Sequence, residues 1–143
     1  MQRLIASVLL VLCGLCLGLP DAVAAGGKRS QVRKLDEAQV VFASAVRWGE
    51  FEQAWQLVDP QTRVGQPLTE LQLERFRQIR VTGYREGGNA AMPDGSITRP
   101  VEIGVVNRHT QAERTVRWRE QWRWDDQAKR WWASELPDFW SGE

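Results

Sequence analysis

The segment from Glu113 to Asp125 says more about the fold than any other part of the chain. Val116, Trp118, Glu120, Trp122 and Trp124 fall on one side of it, and Arg117, Arg119, Gln121 and Arg123 on the other. Strand side chains alternate between faces. The segment therefore predicts a long strand with an aromatic face that holds one carboxylate, and a basic face opposite. Such an aromatic face needs a covering layer. The covering layer is legible upstream. From Gln31, apolar positions recur at helical spacing through Val32, Leu35, Gln39, Phe42 and Val46, with Val41, Ala45 and Trp48 as a neighbouring stripe. So wide an apolar face suits a helix with a sheet wrapped round it, and Gly49 stops it.

A second short helix is expected over Glu50 to Val58, ended by Asp59-Pro60 because the residue before proline resists the helical conformation. A loop to Pro67 comes next. Thr69 then caps a third helix with Gln72 three positions on, as in a capping box. Leu68, Leu71 and Phe76 are its expected inward anchors. Beyond Phe76 the period drops to two. Strands are expected over Arg77 to Arg85, around Val101 to Val106, over Glu113 to Asp125 and over Arg130 to Leu136, with turns at His109 to Ala112 and Asp126 to Lys129. Gly87-Gly88-Asn89 and Pro93-Asp94-Gly95 mark a flexible connection. The fold class is α+β: N-terminal helices packed on a curved four-stranded antiparallel meander, one domain over residues 31–137. Residues 138–143 form a tail whose Phe139 and Trp140 are apolar enough to pack back.

The N-terminus has a different composition. Arg3 is followed by an uncharged run from Leu4 to Leu19, 16 residues long, against the ~20 that cross a bilayer as a helix. Ala22-Val23-Ala24 then fits the small-x-small cleavage rule. Residues 1–24 are expected to be a secretory signal peptide cut after Ala24, with a loose leader over residues 25–30. The alternative is an uncleaved anchor. Lipidation is disfavoured because Leu12 and Leu15, not small residues, precede Cys13 and Cys16. Those two cysteines are the only ones, so residues 25–143 contain no thiol for a disulfide, a nucleophile or a metal. The expected location is periplasmic or secreted, with no transmembrane segment after cleavage.

Charge is balanced, with 19 basic and 18 acidic residues, and gives no global pull toward nucleic acid. Eight tryptophans lie in the part that remains, which excludes a disordered chain. No phosphate-binding glycine motif and no G-x-S-x-G is present. The lone His109 sits in a predicted turn, and no metal-ligand spacing or cofactor motif appears.

Trp118, Glu120, Trp122 and Trp124 have two readings: core packing against the first helix, or the wall of a ligand pocket. Buried among aromatics, Glu120 would have a raised pKa unless an arginine pairs with it, and a raised value is how a general acid or base is tuned. Tyr84, the only tyrosine, is its candidate partner in proton transfer. Arg117, Arg119 and Arg123 form either a solvated face or a docking surface for an anionic partner. Trp131 and Trp132 are adjacent and must point to opposite sides, so one large ring can lie outside the concave core, beside arginine, as an interface anchor or a carbohydrate platform, or can equally lie under the Trp140 tail.

The order of elements, with "GEFEQAWQLVDPQTR" as a short helix ending at Asp-Pro and "RTVRWREQWRWDDQAKRWWAS" as the closing hairpin, resembles the nuclear-transport-factor-two-like superfamily of cystatin-like α+β cones. The resemblance covers roughly residues 32–136. One departure is the absence of the short strand pair usual between the second and third helices. The superfamily includes isomerases and dehydratases that work inside the cone with an acidic base and Tyr or Asp donors. Only Glu120 and Tyr84 match such roles here. It also includes many members that only bind or dimerise. The expectation is a non-catalytic envelope domain that binds a protein partner, a second copy or an anionic envelope component. The alternative is a small-molecule site around Glu120.

Overall fold

The computed structural model describes residues 21–140. Its first element, α1 (Asp21–Trp48), is 28 residues long, about 42 Å at 1.5 Å per residue. The helix runs through residues 25–30, where a loose leader was expected. Gly26 to Arg29 are exposed, so burial does not hold this turn. Once a helix is nucleated, each further residue adds a hydrogen bond for the dihedrals it fixes, and this end propagates despite two glycines. The expected signal peptide lies outside the described residues except for its last four, and so do Cys13 and Cys16.

Leu35, Gln39, Phe42 and Val46 face inward as expected, joined by Ala43 and Ala45. Val32, Val41 and Trp48 do not: they are exposed. The sheet covers one side of α1, and at 100° per residue Val41 and Trp48 lie beyond its reach, whereas Val32 shares the angle of Gln39 and is exposed one turn before the first buried residue of the helix, Leu35. Gly49, at φ +75°, ends the helix in a Schellman motif: its N–H donates to Val46 O (3.1 Å) and that of Glu50 to Ala45 O (2.8 Å).

The second helix, α2 (Phe51–Trp55), is shorter than expected and buries Phe51 and Ala54. The Asp59-Pro60 pair begins a helix rather than only ending one. Asp59 accepts from Gln61 N–H and Pro60 occupies the first turn of α3 (Pro60–Gly65), where a loop was expected. Proline suits that position because its missing N–H has no partner there anyway. In α4 (Glu70–Arg77) the Thr69–Gln72 capping box forms as expected. Phe76 is buried and Leu68 packs on the core, but Leu71 is 73% exposed and is no anchor. With only eight residues, α4 turns one face inward, and Phe76 and Leu73 take it.

The sheet runs β1 (Ile79–Glu86), β3 (Ile97–Asn107), β4 (Glu113–Asp125), β5 (Arg130–Ala133), all antiparallel. A two-residue strand, β2 (Ala90–Ala91), pairs with the start of β3 inside the expected connection. β4 has the predicted bounds. β5 stops at Ala133 instead of Leu136, and its outer edge is closed by the segment before α3: Ala133 N–H donates to Leu57 O (2.9 Å) and Asp59 N–H to Ala133 O (2.8 Å). That single bridge covers the last residue of the edge strand. α1 lies in the concave side of the sheet, where Phe42 meets Trp122 edge-on at 5.5 Å. At the other end Phe51, Phe76 and Phe139 cluster, with Phe51 stacked on Phe76 at 4.4 Å. Trp140 lies against Phe76. The described part of the tail thus belongs to the core.

Candidate functional site

The strand alternation in β4 divides its side chains as the sequence predicts. Val116, Glu120 and Trp122 are buried, Trp118 and Trp124 half-buried, and Arg117, Arg119, Gln121 and Arg123 exposed. The inner face carries the carboxylate. In the antiparallel register Arg99 of β3 stands directly opposite Glu120. Its Nε donates to Glu120 Oε2 (2.7 Å) and its Nη2 to Oε1 (3.3 Å). Trp122 Nε1 also donates to Oε2 (2.8 Å), and the Tyr84 hydroxyl, from β1, donates to Oε1. Each carboxylate oxygen therefore accepts two bonds. Arg99 Nη1 reaches Gln39 Oε1 of α1 (3.4 Å), and Gln39 exchanges two hydrogen bonds with Asn89 (2.9 and 3.2 Å). This polar network ties the helix to three strands.

Burial pushes the Glu120 carboxyl up to about 7 from an ordinary 4.5, with the Trp122 N–H opposing it. Burial also draws the Arg99 guanidinium down from its ordinary value. Both halves move toward their neutral forms because desolvating two charges costs more than their attraction returns. A carboxyl near 7 has the acidity of a general acid or base. Its acceptor positions are filled by the chain's own donors, and Trp122 is fully buried beside it. Glu120 and Tyr84 are brought together as the sequence suggested, in a packed ion-pair network. Arg99, Gln39 and Asn89 were missed. Arg99 was legible only in part: it stays in phase with the inward positions Val101, Ile103 and Val105, but pairing back from a His109–Ala112 turn would set Val101 opposite Glu120, and the observed register, with Asn107 N–H donating to Ala112 O, sets Arg99 there instead.

The other pocket candidates separate. Trp124 lies 5.6 Å from Trp131 and under Lys34 at 5.7 Å, and its Nε1 donates to Asp126 (2.9 Å). Trp118 packs against the core one pair along from Glu120, opposite Val101. A groove of about 500 Å³ lies elsewhere, between Trp48, Phe51, Leu73, Phe76, Arg77 and Arg108.

On the outer face Arg117 approaches Glu102 at 3.6 Å, and Arg85 approaches the same carboxylate at 3.4 Å. Arg123 is committed to Asp59 at 2.6 Å. Arg119 makes no ion pair among the described residues. Trp132 points to this side, opposite to Trp131, but is buried. Arg130 covers its ring at 4.0 Å and Arg63 lies at 5.9 Å, while its Nε1 donates to Asp125 (3.1 Å). It is therefore neither an exposed anchor nor under Trp140. Arg63 was invisible as a partner in the sequence because it comes from α3, whereas Arg130 stands two residues before Trp132 on the same strand, where alternation puts both on one face. Among the described residues, no group of three His, Cys, Asp or Glu is placed to hold a metal ion, and no helix is long and apolar enough to cross a membrane. No protein-family model matches the chain, and neither does any curated protein or solved structure compared with it.

Proposed function

We propose that this is a non-catalytic binding module of the cell envelope, a small cone-type α+β domain that receives an anionic partner on the outer face of its sheet. The observation that carries the reading is the saturation of Glu120. The one interior group with catalytic acidity already has two donors on each oxygen, all from its own chain. Chemistry inside the cone would have to displace them. On the outer face, Arg85 and Arg117 share a single carboxylate and Arg119 has none among the described residues, so this side carries a positive surplus that the interior lacks. Exposed cations of this kind attract anions in a salt-dependent way.

The test uses two probes, phosphatidylglycerol-containing vesicles and a polyglutamate resin, with wild type and an Arg117→Glu/Arg119→Glu variant. Both side chains are exposed, so the fold is not at risk. Wild type is expected to bind at least one probe at low salt and the variant neither. Equal behaviour of the two proteins would reject the surface. The envelope location is tested separately by sequencing the N-terminus of the protein recovered from periplasm, where Ala25 is the expected first residue.

The second reading, a small-molecule site around Glu120, draws on the carboxyl near 7 and the Tyr84 hydroxyl beside it. It predicts extra mass on the native protein that is lost on denaturation, and weaker retention of that mass by Glu120→Gln.

A further inference from the structure

The outer side of α1 carries an apolar patch that nothing in the described fold covers. Val40, Val41 and Trp48 are 69%, 56% and 76% exposed, and exposed Ser44 lies among them. At 100° per residue the four fall within a sector of about 100°. They sit on the last third of the helix and run into the groove beside Trp48, whose floor is Phe51, Leu73 and Phe76. Val64 and Leu71, also exposed, stand singly on other helices, as scattered surface apolar residues commonly do. One tryptophan and two valines together present on the order of 400 Å², which matches the largest patch on a typical monomer.

The order of residues within the patch indicates its occupant. Val40, Ser44 and Trp48 are spaced four apart, one above the next along the helix. The smallest residue is central, with apolar side chains one turn to either side. A second α1 laid antiparallel about a two-fold axis at Ser44 sets each Trp48 against Val40 and Val41 of the other copy. The two serines let the helices approach closely at the axis. Rows of residues four apart are the ridges that mesh in the commonest class of helix crossing. A patch that complements itself under a two-fold rotation is what an isologous dimer requires.

We propose that the protein forms a homodimer through this face of α1, with Ser44 on the axis and Trp48 as the anchor, independently of the basic sheet face. The area of the patch falls short of the ~800 Å² per partner of a standard interface, so the dimer is a weak, reversible one.

The test is sedimentation equilibrium on the protein purified as the cell leaves it, over a concentration range that spans about 1 to 200 μM, where an interface of this size dissociates. Wild type is expected to dimerise. Trp48→Glu and Val40→Glu are each expected to weaken the dimer by about 30-fold or more, since each substitution enters the interface twice. Val64→Glu, on exposed α3, is expected to leave it unchanged. If a charged variant also loses its fold by circular dichroism, Ser44→Cys supplies a second readout: under mild oxidation it forms a disulfide-linked dimer that neither the unsubstituted protein nor Val64→Cys forms. A monomer throughout the range with no such cross-link overturns the proposal. A dimer of undiminished affinity in folded Trp48→Glu and Val40→Glu overturns it equally.

Discussion

Replacing Arg99 with Met removes the cation from a carboxylate that has no other among the described residues, and the cost depends on pH in a way the geometry dictates. Arg99 and Glu120 are both buried, with side chains 8% and 2% exposed and 2.7 Å between them. At pH 8 the Glu120 carboxyl, pushed up to about 7 by burial, is mostly ionised in the wild type. Methionine fills much of the same volume without supplying a charge. The carboxylate is then left with the Tyr84 and Trp122 donors alone. Removing one partner of a buried pair costs about 3–5 kcal/mol, a large part of the roughly 5–15 kcal/mol that holds a domain of this size together. At pH 5 the carboxyl is protonated in both proteins. The charge no longer contributes there, so the loss is smaller than at pH 8 by up to about 1.4 kcal/mol, the free energy of ionising at pH 8 a carboxyl that titrates near 7. The measurement is urea unfolding monitored by tryptophan fluorescence at both pH values, with the slope against denaturant checked for constancy. A cost that is the same at pH 5 and pH 8, or below about 1 kcal/mol at pH 8, would refute the reasoning. In either case the charge on Glu120 would not be what Arg99 compensates.

The wild type carries its own pH dependence. The folded carboxyl titrates near 7 and the unfolded one near 4.5, so between those values the folded state binds more protons and stability falls as pH rises, by at most about 3 kcal/mol. Glu120→Gln is expected to flatten that fall in denaturation midpoint between pH 5 and pH 8. Phe42→Ala empties the fully buried contact between α1 and Trp122, and unfolding is expected to become easier by about 3–5 kcal/mol. Thr69→Ala removes the capping box of α4 and is expected to cost about 1 kcal/mol, whereas Leu71→Ser on the exposed side of the same helix should stay within about 0.5 kcal/mol in the same urea titration.

The β4 strand was readable to the residue because its signal is local. Alternation between tryptophan and arginine depends only on the two-residue period of an extended chain, and no tertiary contact is needed to see it. The same holds for the Thr69–Gln72 box and for Gly49 at the end of α1, where the motif spans a single turn. Asp59-Pro60 was local too, but the pair serves twice: it ends one helical segment and caps the next, and only the conformation of residues 61–65 distinguishes a cap from a plain stop. Leu71 illustrates the limit of periodicity in a short helix. Leu71 and Phe76, five positions apart, lie about 140° from each other round the helix, so one inward face cannot hold both, and Leu73, three positions before Phe76, shares its side instead.

By itself the sequence determined the α+β class, the order of the elements apart from α3 and β2, and the split of β4 into an aromatic inner face with one carboxylate and a basic outer face. These features rest on period, caps and turns, which act over a few residues. Tertiary structure alone decided which donors surround Glu120. Whether a buried carboxylate serves chemistry or packing depends on which donors reach its oxygens. Trp122 is two residues away on the same strand, but Arg99 and Tyr84 come from positions 21 and 36 residues away, brought in by strand register. The fate of Trp48 was settled in the same way: its apolar side chain suits a core, but the helix turned it away from the only sheet there is among the described residues.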